Sequence, residues 1–280
     1  MKQINSVDDL LYFIQIKKEE NKTIGFVPTM GSLHAGHDSL IKKCHKENEI
    51  TIVSIYVNPN QFNKQEDFVN YPRNLELDIK RLKKLNCDIL FSPNNEEISK
   101  IPYLEIDLKL GNLDKILEAK RRPGHFKGVI NIVSKLFGLI SPNKAYFGEK
   151  DLQQLLIIKQ LCFQKFNNIQ IVSCPTIRTF EGLARSSRNK KLDKKELMLA
   201  GSIYKVLSEV KGYKRKWDVK KIKEYVKNYM NNIPIINLDY FEIIETESFS
   251  FTTKINSNCN YYAMIAVKIR NIRLIDNLKL

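Results

Sequence analysis

The feature that most constrains the fold is an apolar strand followed directly by a turn and a helix. Residues 23–27 are typical of a short buried strand, and residues 35–44 have helical spacing. Pro28 and Gly31 mark the turn between them. A second apolar run, Ile50 to Val57, is typical of a parallel strand that is buried on both faces. The pattern therefore predicts an α/β protein built on a parallel sheet.

The turn after the first strand carries two histidines in the sequence His34-Ala35-Gly36-His37. On a starting helix, positions i and i+3 share a face, so both imidazoles should point to one spot beyond the strand. The free backbone N–H groups and the helix dipole favour an anion there. Gly36 leaves room for a phosphate or a flat ring to approach the backbone. The pattern predicts a phosphate site that uses imidazoles.

These histidines have two other interpretations. Two histidines after a turn are often ordinary surface residues, and the surrounding motif is what favours function. A zinc site would have to include Cys44, which lies about 10 Å along the helix from His37. One tetrahedral ion with bonds of roughly 2.0–2.3 Å cannot reach both residues, so zinc is disfavoured.

Length and composition are those of an ordinary soluble globular protein. The 280 residues are enough for two domains, with 43% hydrophobic and 28% charged residues. The amino terminus carries Asp8 and Asp9 where a signal peptide would be basic and then apolar. The most apolar stretch, Gly128 to Ile140, is interrupted by Lys135 and is too short to span a bilayer. Five scattered cysteines argue for reduced thiols. We expect a cytoplasmic protein with no membrane partner.

The formal net charge of +15 raises the alternative of a nucleic-acid-binding protein. The excess is mostly lysine dispersed along the chain, and the densest run, Lys211 to Lys221, accompanies no RNA-binding motif. Charge alone speaks to solubility and non-specific binding. A solvated lysine-rich surface, with no nucleic-acid partner, is the favoured interpretation.

Polar residues follow two predicted strands at the sheet edge where ligands bind in open α/β folds. Gln61 follows the strand at residues 50–57 and offers both a donor and an acceptor to hydroxyl and carboxylate oxygens. A second strand, Lys144 to Phe147, breaks at Gly148 and leads to Lys150, a point charge at the same edge. Gln154 lies one turn further on.

A glycine-containing loop at residues 182–189 carries Ser186, Ser187 and Arg188. Two hydroxyls beside an arginine suit a mobile clamp on a triphosphate, because the guanidinium forks onto phosphate oxygens. A basic surface loop is the alternative interpretation.

Together these motifs resemble the pantothenate synthetase family of the His-x-Gly-His nucleotidyltransferases. The resemblance is carried by Pro-Thr-Met-Gly at residues 28–31, His-Ala-Gly-His at 34–37, Asn-Pro-Asn-Gln-Phe at 58–62, Arg-Pro-Gly-His-Phe at 122–126, Gly-Glu-Lys-Asp at 148–151 and Ser-Ser-Arg-Asn at 186–189. It implies a Rossmann-like parallel-sheet domain, residues 1–176, and a smaller α+β domain, residues 177–280, that covers the active site. A homodimer is implied as well.

The resemblance also implies the site residues. Catalytic roles fall to His34, His37 and Lys150. ATP contacts fall to Met30, Gly31, Ser32, Leu33, His34, Ala35, Gly36, His37, Gly148, Glu149, Lys150, Asp151, Ile177, Arg185, Ser186, Ser187 and Arg188. Gln61 and Gln154 would bind pantoate and β-alanine, and Asp78 would be a ligand of Mg²⁺.

The chain departs from the family pattern near its second half. Arg185 stands where the family carries Met, and Thr179-Phe180-Glu181 replaces Glu-Ala-Asp. An arginine at position 185 can face the triphosphate or turn to solvent, and burial against adenine is disfavoured because an unpaired charge is costly to bury.

The activity implied is ATP-dependent condensation of pantoate with β-alanine to pantothenate, through a pantoyl-adenylate, with release of AMP and pyrophosphate. ATP and Mg²⁺ would be required. The alternatives are another His-x-Gly-His adenylyltransferase that stops after nucleotide transfer, and an RNA-binding protein. The residue that would accept the amine proton is not indicated by the sequence.

Overall fold

The computed structural model describes residues 1–103, 105–214, 216–256 and 258–280. The chain divides into two compact units. The first comprises Met1–Leu110, Glu118–Glu149 and Gln153–Pro175, and the second comprises Gly111–Leu117, Lys150–Leu152 and Thr176–Leu280.

Six parallel strands form the sheet of the first unit. They are β1 (Lys2–Ile4), β2 (Ile24–Thr29), β3 (Ile50–Ile55), β4 (Ile89–Phe91), β5 (Lys144–Gly148) and β6 (Gln170–Cys174). Their order is β1-β4-β3-β2-β5-β6, and every neighbouring pair is parallel. From β2 the chain builds outward through β3 and β4, then crosses to β5 on the other side. The order therefore reverses between β2 and β5, where ligands bind in open α/β sheets.

The helices that accompany this sheet within the described residues are α1 (Val7–Glu19), α2 (Ala35–Glu47), α3 (Gln65–Val69), α4 (Leu75–Lys84), α5 (Asn95–Lys100), α6 (Glu118–Arg121), α7 (His125–Ile140) and α8 (Leu152–Lys165). The sequence predicts an amphipathic helix at residues 6–20 with Ser6 as its N-cap. This is confirmed, and the Oγ of Ser6 accepts a bond from the N–H of Asp9 at 3.2 Å. Consecutive residues of β2 and β3 are fully buried, as expected for strands covered on both faces.

Two details of the first unit differ from the sequence prediction. Strand β1 was not predicted, because three residues with one buried side chain show no periodic pattern. It becomes a strand by pairing with β4, in the register Lys2 to Ile89. The sequence at Tyr103 to Leu108 also predicts a strand. This prediction is wrong for the described residues of that segment, which are irregular; Leu104 lies outside the described residues.

In the part of the second unit that the structure describes, a four-stranded antiparallel sheet packs with three helices. Its helices are α9 (Lys194–Ala200), α10 (Ser202–Tyr213) and α11 (Val219–Asn231), and its strands are β7 (Ile236–Glu245), β8 (Ser250–Phe251), β9 (Tyr261–Ile269) and β10 (Ile272–Lys279). The strand order is β10-β9-β7-β8. Buried residues of α10 and α11, such as Val206 and Ile222, share one apolar core with sheet residues such as Ile265. The predicted α+β architecture of this part is confirmed.

The sequence predicts a single helix over residues 194–210, but the structure breaks it into α9 and α10 at Gly201. A Cβ at this position would lie 2.4 Å from the carbonyl oxygen of Glu181. Close approach of the preceding loop therefore requires glycine here.

The cysteine prediction is confirmed in the structure. All five are free thiols, and four of them (Cys44, Cys87, Cys162 and Cys174) are buried. Burial raises the pKa of the Cys44 thiol to about 12, because an apolar environment disfavours the thiolate.

No helix within the described residues has the length and hydropathy needed to cross a bilayer.

Candidate active site

The loop between β2 and α2 is a tight turn with two left-handed residues. Gly31 has φ +78° and Ser32 has φ +51°. The hydroxyl of Thr29 accepts a bond from the N–H of Gly31 at 3.1 Å. A Cβ at Gly31 would also lie 3.0 Å from a carboxylate oxygen of Asp78. Positive φ and close approach together favour glycine at position 31.

Asp78 holds this turn from helix α4. Its side chain is 4% exposed, and its two oxygens accept the backbone N–H groups of Ser32 and Leu33, each at 2.8 Å. One turn later on α4, Arg81 forms a forked ion pair with Asp38 in the first turn of α2, at 2.5 and 2.6 Å. Helix α4 therefore fixes both the turn and the start of α2.

These contacts give Asp78 a structural role, and its role as a ligand of Mg²⁺ stays a prediction. Both of its oxygens already accept charge-assisted bonds from the backbone. Among the described residues, no group of three or more His, Cys, Asp or Glu side chains is arranged to hold a metal ion. The geometry assigns Asp78 to holding the β2–α2 turn.

The two histidines are fixed by the backbone at the start of α2. His34 is the N-cap, and its Nδ1 accepts the N–H of Gly36 at 3.1 Å. The Nδ1 of His37 accepts the N–H of His34 at 3.2 Å. The ring centroids are 4.1 Å apart. Because both Nδ1 atoms act as acceptors, each neutral ring carries its proton on Nε2. Two half-buried N–H donors are thus held side by side at a helix N-terminus.

Gln61 is held in a short 3₁₀ turn, Pro59–Gln61, that follows β3. Its side chain is 8% exposed. The amide Nε2 contacts Sδ of Met30, and Oε1 accepts a bond from Asn58 at 3.3 Å. The backbone carbonyl of Gln61 lies 2.7 Å from Nδ1 of His125, which must carry the proton because a carbonyl only accepts.

The start of helix α7 packs tightly against this turn. The amide of Asn58 donates to the carbonyl of Gly128 at 3.0 Å. A Cβ at Gly128 would lie 2.3 Å from the carbonyl oxygen of Asn60. Sequence reasoning assigned no role to Asn58, His125 or Gly128, although Asn58 and His125 belong to segments that were singled out as motifs.

The segment after β5 carries the second group of predicted residues. Residues Glu149–Asp151 form a 3₁₀ turn, and the ammonium of Lys150 lies 3.3 Å from a carboxylate oxygen of Asp151. Lys150 is 19% exposed. Gln153 is 2% exposed, and its Oε1 accepts the N–H of Glu118 at 3.0 Å. Gln154, its neighbour, is half-buried.

In the second unit, residues 177–189 form a closed loop. The N–H of Arg185 donates to the carbonyl of Ile177 at 2.9 Å, and Arg178 and Ala184 form a β-bridge. Ser186 caps a 3₁₀ helix, Ser187–Lys191, and Asn189 returns a bond to the Ser186 N–H. The Arg185 side chain is exposed and Ser187 is buried. The charged side chain of Arg185, which stands where the family carries Met, is therefore not packed into the core.

The predicted site residues divide between the two units. The first unit holds Met30, Gly31, Ser32, Leu33, His34, Ala35, Gly36, His37, Gln61, Asp78, Gly148, Glu149 and Gln154, and the second holds Lys150, Asp151, Ile177, Arg185, Ser186, Ser187 and Arg188. Within the first unit, Gln61 and the β2–α2 turn are in direct contact through Met30.

Comparison with known proteins covers residues 2–279 of the chain. A family model described as pantoate-beta-alanine ligase matches residues 2–279. This chain belongs to that family. The resemblance found in the sequence motifs is therefore confirmed.

Named relatives of the chain are pantothenate synthetases. The protein of Cytophaga hutchinsonii is 43% identical, with 99% of each chain covered. That of Bacteroides fragilis is 40% identical, covering 100% of this chain and 99% of the relative.

Solved structures of pantothenate synthetases have the same fold. The enzyme from Thermus thermophilus is 33% identical and superposes with a TM-score of 0.89 over 99% of both chains. The pantoate-beta-alanine ligase from Francisella tularensis, complexed with beta-gamma ATP and beta-alanine, is 37% identical with a TM-score of 0.77, covering 99% of this chain and 97% of that one. The predicted Rossmann-like domain with a smaller α+β domain is thereby confirmed.

Proposed function

We propose that this protein condenses pantoate with β-alanine to pantothenate at the expense of ATP, releasing AMP and pyrophosphate. The observation that carries this proposal is membership of the pantoate-beta-alanine ligase family over residues 2–279. The paired Nε2–H donors of His34 and His37 support it, because they suit the phosphates of ATP.

The reaction proceeds in two steps. A carboxylate oxygen of pantoate attacks the α-phosphorus of ATP, forming a C–O–P bond while the bond to the bridging oxygen breaks and pyrophosphate leaves. The unprotonated amine of β-alanine then attacks the acyl carbon. The C–N bond forms, the bond to AMP breaks, and the amine loses a proton to solvent or to a nearby base.

The first step needs orientation and charge stabilisation more than covalent help. We assign His34 and His37 to donate hydrogen bonds to phosphate oxygens as negative charge moves towards the leaving pyrophosphate. Lys150 and Arg188 supply positive charge, and the hydroxyls of Ser186 and Ser187 add donors. Further ATP contacts are assigned to the backbone of the Met30–Leu33 turn, Gly148–Asp151, Ile177 and Arg185.

Gln61 and Gln154 are assigned to pantoate. A fixed amide offers both a donor and an acceptor, which matches a substrate with hydroxyl and carboxylate oxygens. Gln61 is held on its side chain by Asn58 and Met30 and on its backbone by His125, so little ordering is left to occur on binding.

Two further features of the protein are proposed. Mg²⁺ would enter with ATP and would neutralise charge on its phosphates, with no protein ligand assigned to it. The protein acts as a homodimer in the cytoplasm; buried free thiols suit a reducing compartment. Sedimentation of the purified protein tests the dimer.

A turnover assay with ATP and pantoate, with and without β-alanine, tests the proposed function. We expect pantothenate and one AMP per turnover only when β-alanine is present. An enzyme that only transfers the nucleotide would give the same pyrophosphate release without β-alanine and no amide product. An RNA-binding protein would turn over no ATP under either condition.

A further inference from the structure

A buried polar network in the second unit connects the last strand to Lys150. Asn277 in β10 is 5% exposed, and its side-chain Nδ2 donates to the backbone carbonyl of Lys150 at 3.0 Å. Its own N–H donates to Oδ1 of Asp276 at 2.8 Å. The backbone of Lys150 is therefore held by a side chain 127 residues later in the chain.

Arg178 completes the network through a forked ion pair with Asp276. Nη1 and Nη2 donate to the two carboxylate oxygens at 2.5 and 3.0 Å, and the Asp276 side chain is 2% exposed. Burial raises the pKa of the Asp276 carboxyl, and the guanidinium of Arg178 opposes that rise. Removing either partner would leave a buried group without its counterpart.

The same guanidinium holds the loop that carries Ser186, Ser187 and Arg188. Its Nη1 also donates to the carbonyl of Gly182 at 3.1 Å, and its central carbon lies 3.9 Å from the centre of the Tyr204 ring. Gly182 has φ +90°, and a Cβ there would lie 2.8 Å from the Tyr204 ring. The base of the loop is therefore held by the Arg178 guanidinium and by packing of Gly182 against the Tyr204 ring.

The placement of this network favours a role beyond stability. A buried ion pair is weak evidence for stabilisation, because apolar residues of similar volume often do as well. Here its side chains bind two backbone carbonyls, at Lys150 and at Gly182, and each carbonyl belongs to a segment that carries a proposed phosphate ligand. Fixing such segments in advance lowers the ordering cost of binding.

We propose that Arg178, Asp276 and Asn277 are positioning residues for the phosphates of ATP, acting through the backbone at Lys150 and through the loop at residues 182–188. The inference rests on the proposed function, since it takes the ligand of Lys150 to be a triphosphate.

A double-mutant cycle tests the Lys150 arm. Asn277→Ala is made in the wild-type chain and in Lys150→Met, and ATP affinity is measured by titration calorimetry. We expect Asn277→Ala to weaken ATP binding about 10-fold in the wild-type background and less than about 2-fold in the Lys150→Met background, because substitutions at coupled residues are not additive. Equal losses in the two backgrounds, or no loss in the first, would overturn the inference.

A matched ion pair in the same sheet controls for stability. Arg273 and Asp239 pair at 3.0 Å and join β10 to β7, with Arg273 5.8 Å from the Tyr240 ring. We expect Asp276→Asn to weaken ATP binding about 10-fold more than Asp239→Asn does, at a temperature below the Tm of both variants, where each is folded. Equal effects would overturn the arm through Arg178. If Asp276→Asn does not fold, the Asn277→Ala cycle decides.

The readout separates this inference from the proposed function. ATP affinity is measured without pantoate or β-alanine, so the cycle can succeed or fail whether or not pantothenate is formed. A wild-type chain that binds ATP but makes no pantothenate would refute the proposed function alone. A wild-type chain that binds no ATP would refute both.

Discussion

At the scale of single residues, the informative feature is how the backbone determines the state of two imidazoles. His34 and His37 each use Nδ1 to accept an N–H at the start of α2, which places their protons on Nε2. The helix cap and the proposed phosphate donors are therefore the same side chains. A substitution at either position removes a cap and a donor together.

We expect His37→Ala to lower the rate of pantoyl-adenylate formation by about 10²–10³, since it removes a preorganised donor to developing charge. Loss of the bond to the His34 N–H should cost about 1 kcal/mol in the free energy of unfolding. Single-turnover kinetics and urea unfolding measure the two effects separately. His45→Ala, on an exposed position of the same helix, is the control and should change neither. A folded His37→Ala variant with wild-type adenylation would remove His37 from the mechanism.

At the scale of elements, helix α4 supports the β2–α2 turn and helix α7 supports the turn that carries Gln61. Helix α4 holds the β2–α2 turn through Asp78 and the start of α2 through Arg81. Helix α7 holds the Gln61 turn through His125 and the carbonyl of Gly128. Each support can be tested by one substitution.

Asp78→Asn should destabilise the fold by about 1–3 kcal/mol. The asparagine keeps one acceptor oxygen, but its NH₂ group is a donor and would face a backbone N–H, which is also a donor. Adenylation should fall with the loss of the turn. Raising the Mg²⁺ concentration should not restore it, whereas a metal ligand would show a raised Mg²⁺ requirement. Denaturant unfolding and a Mg²⁺ titration of the rate measure this. Glu76→Gln, exposed on the first turn of the same helix, should behave as wild type.

Gly128→Ala should destabilise the protein by about 1–3 kcal/mol, because its methyl group would meet the Asn60 carbonyl. Displacement of the Gln61 turn should raise the KM for pantoate and leave the ATP affinity close to wild type. Gly212→Ala is the control: its Cβ would meet no atom within 4 Å, and alanine in a helix should stabilise by about 0.5–1 kcal/mol. Equal loss of pantoate and ATP binding in Gly128→Ala would contradict the assignment of Gln61.

At the scale of the whole molecule, the main property left after the family assignment is the net charge of +15. Lysine and arginine number 46 against 31 acidic residues, and a charge of this size gives non-specific attraction to polyanions. We expect this attraction to be non-specific and to play no part in the proposed reaction.

We expect any complex with single-stranded RNA to be weak and to lose affinity steeply with salt, with a Kd no tighter than about 10⁻⁶ M near physiological ionic strength. Filter binding across a salt series measures this, with ATP turnover followed in parallel. Turnover should be unaffected by added RNA. Saturable RNA binding that persists at high salt and competes with ATP would revive the nucleic-acid alternative.

The sequence by itself determined the elements and the local motifs. Hydrophobic periodicity, a capping serine at position 6 and turn residues at 28 and 31 act over only a few residues. The sequence therefore predicted α1, β2 and α2, and it placed the two histidines at the start of α2. Candidate site residues could be recognised for the same reason, because each motif is completed by residues that are neighbours in the sequence. The family resemblance followed from these short segments.

Only the tertiary structure decided which distant residues meet. Asp78 is 46 residues from Ser32, and Arg178 is 98 residues from Asp276. Strand β1 exists because it pairs with β4. Such contacts leave no periodic trace, since an acidic residue in a first helical turn looks the same whether it faces water or a backbone N–H. The roles of Asp78, His125 and Asn277 follow from three-dimensional packing, which brings buried donors to buried acceptors because neither can be left unpaired.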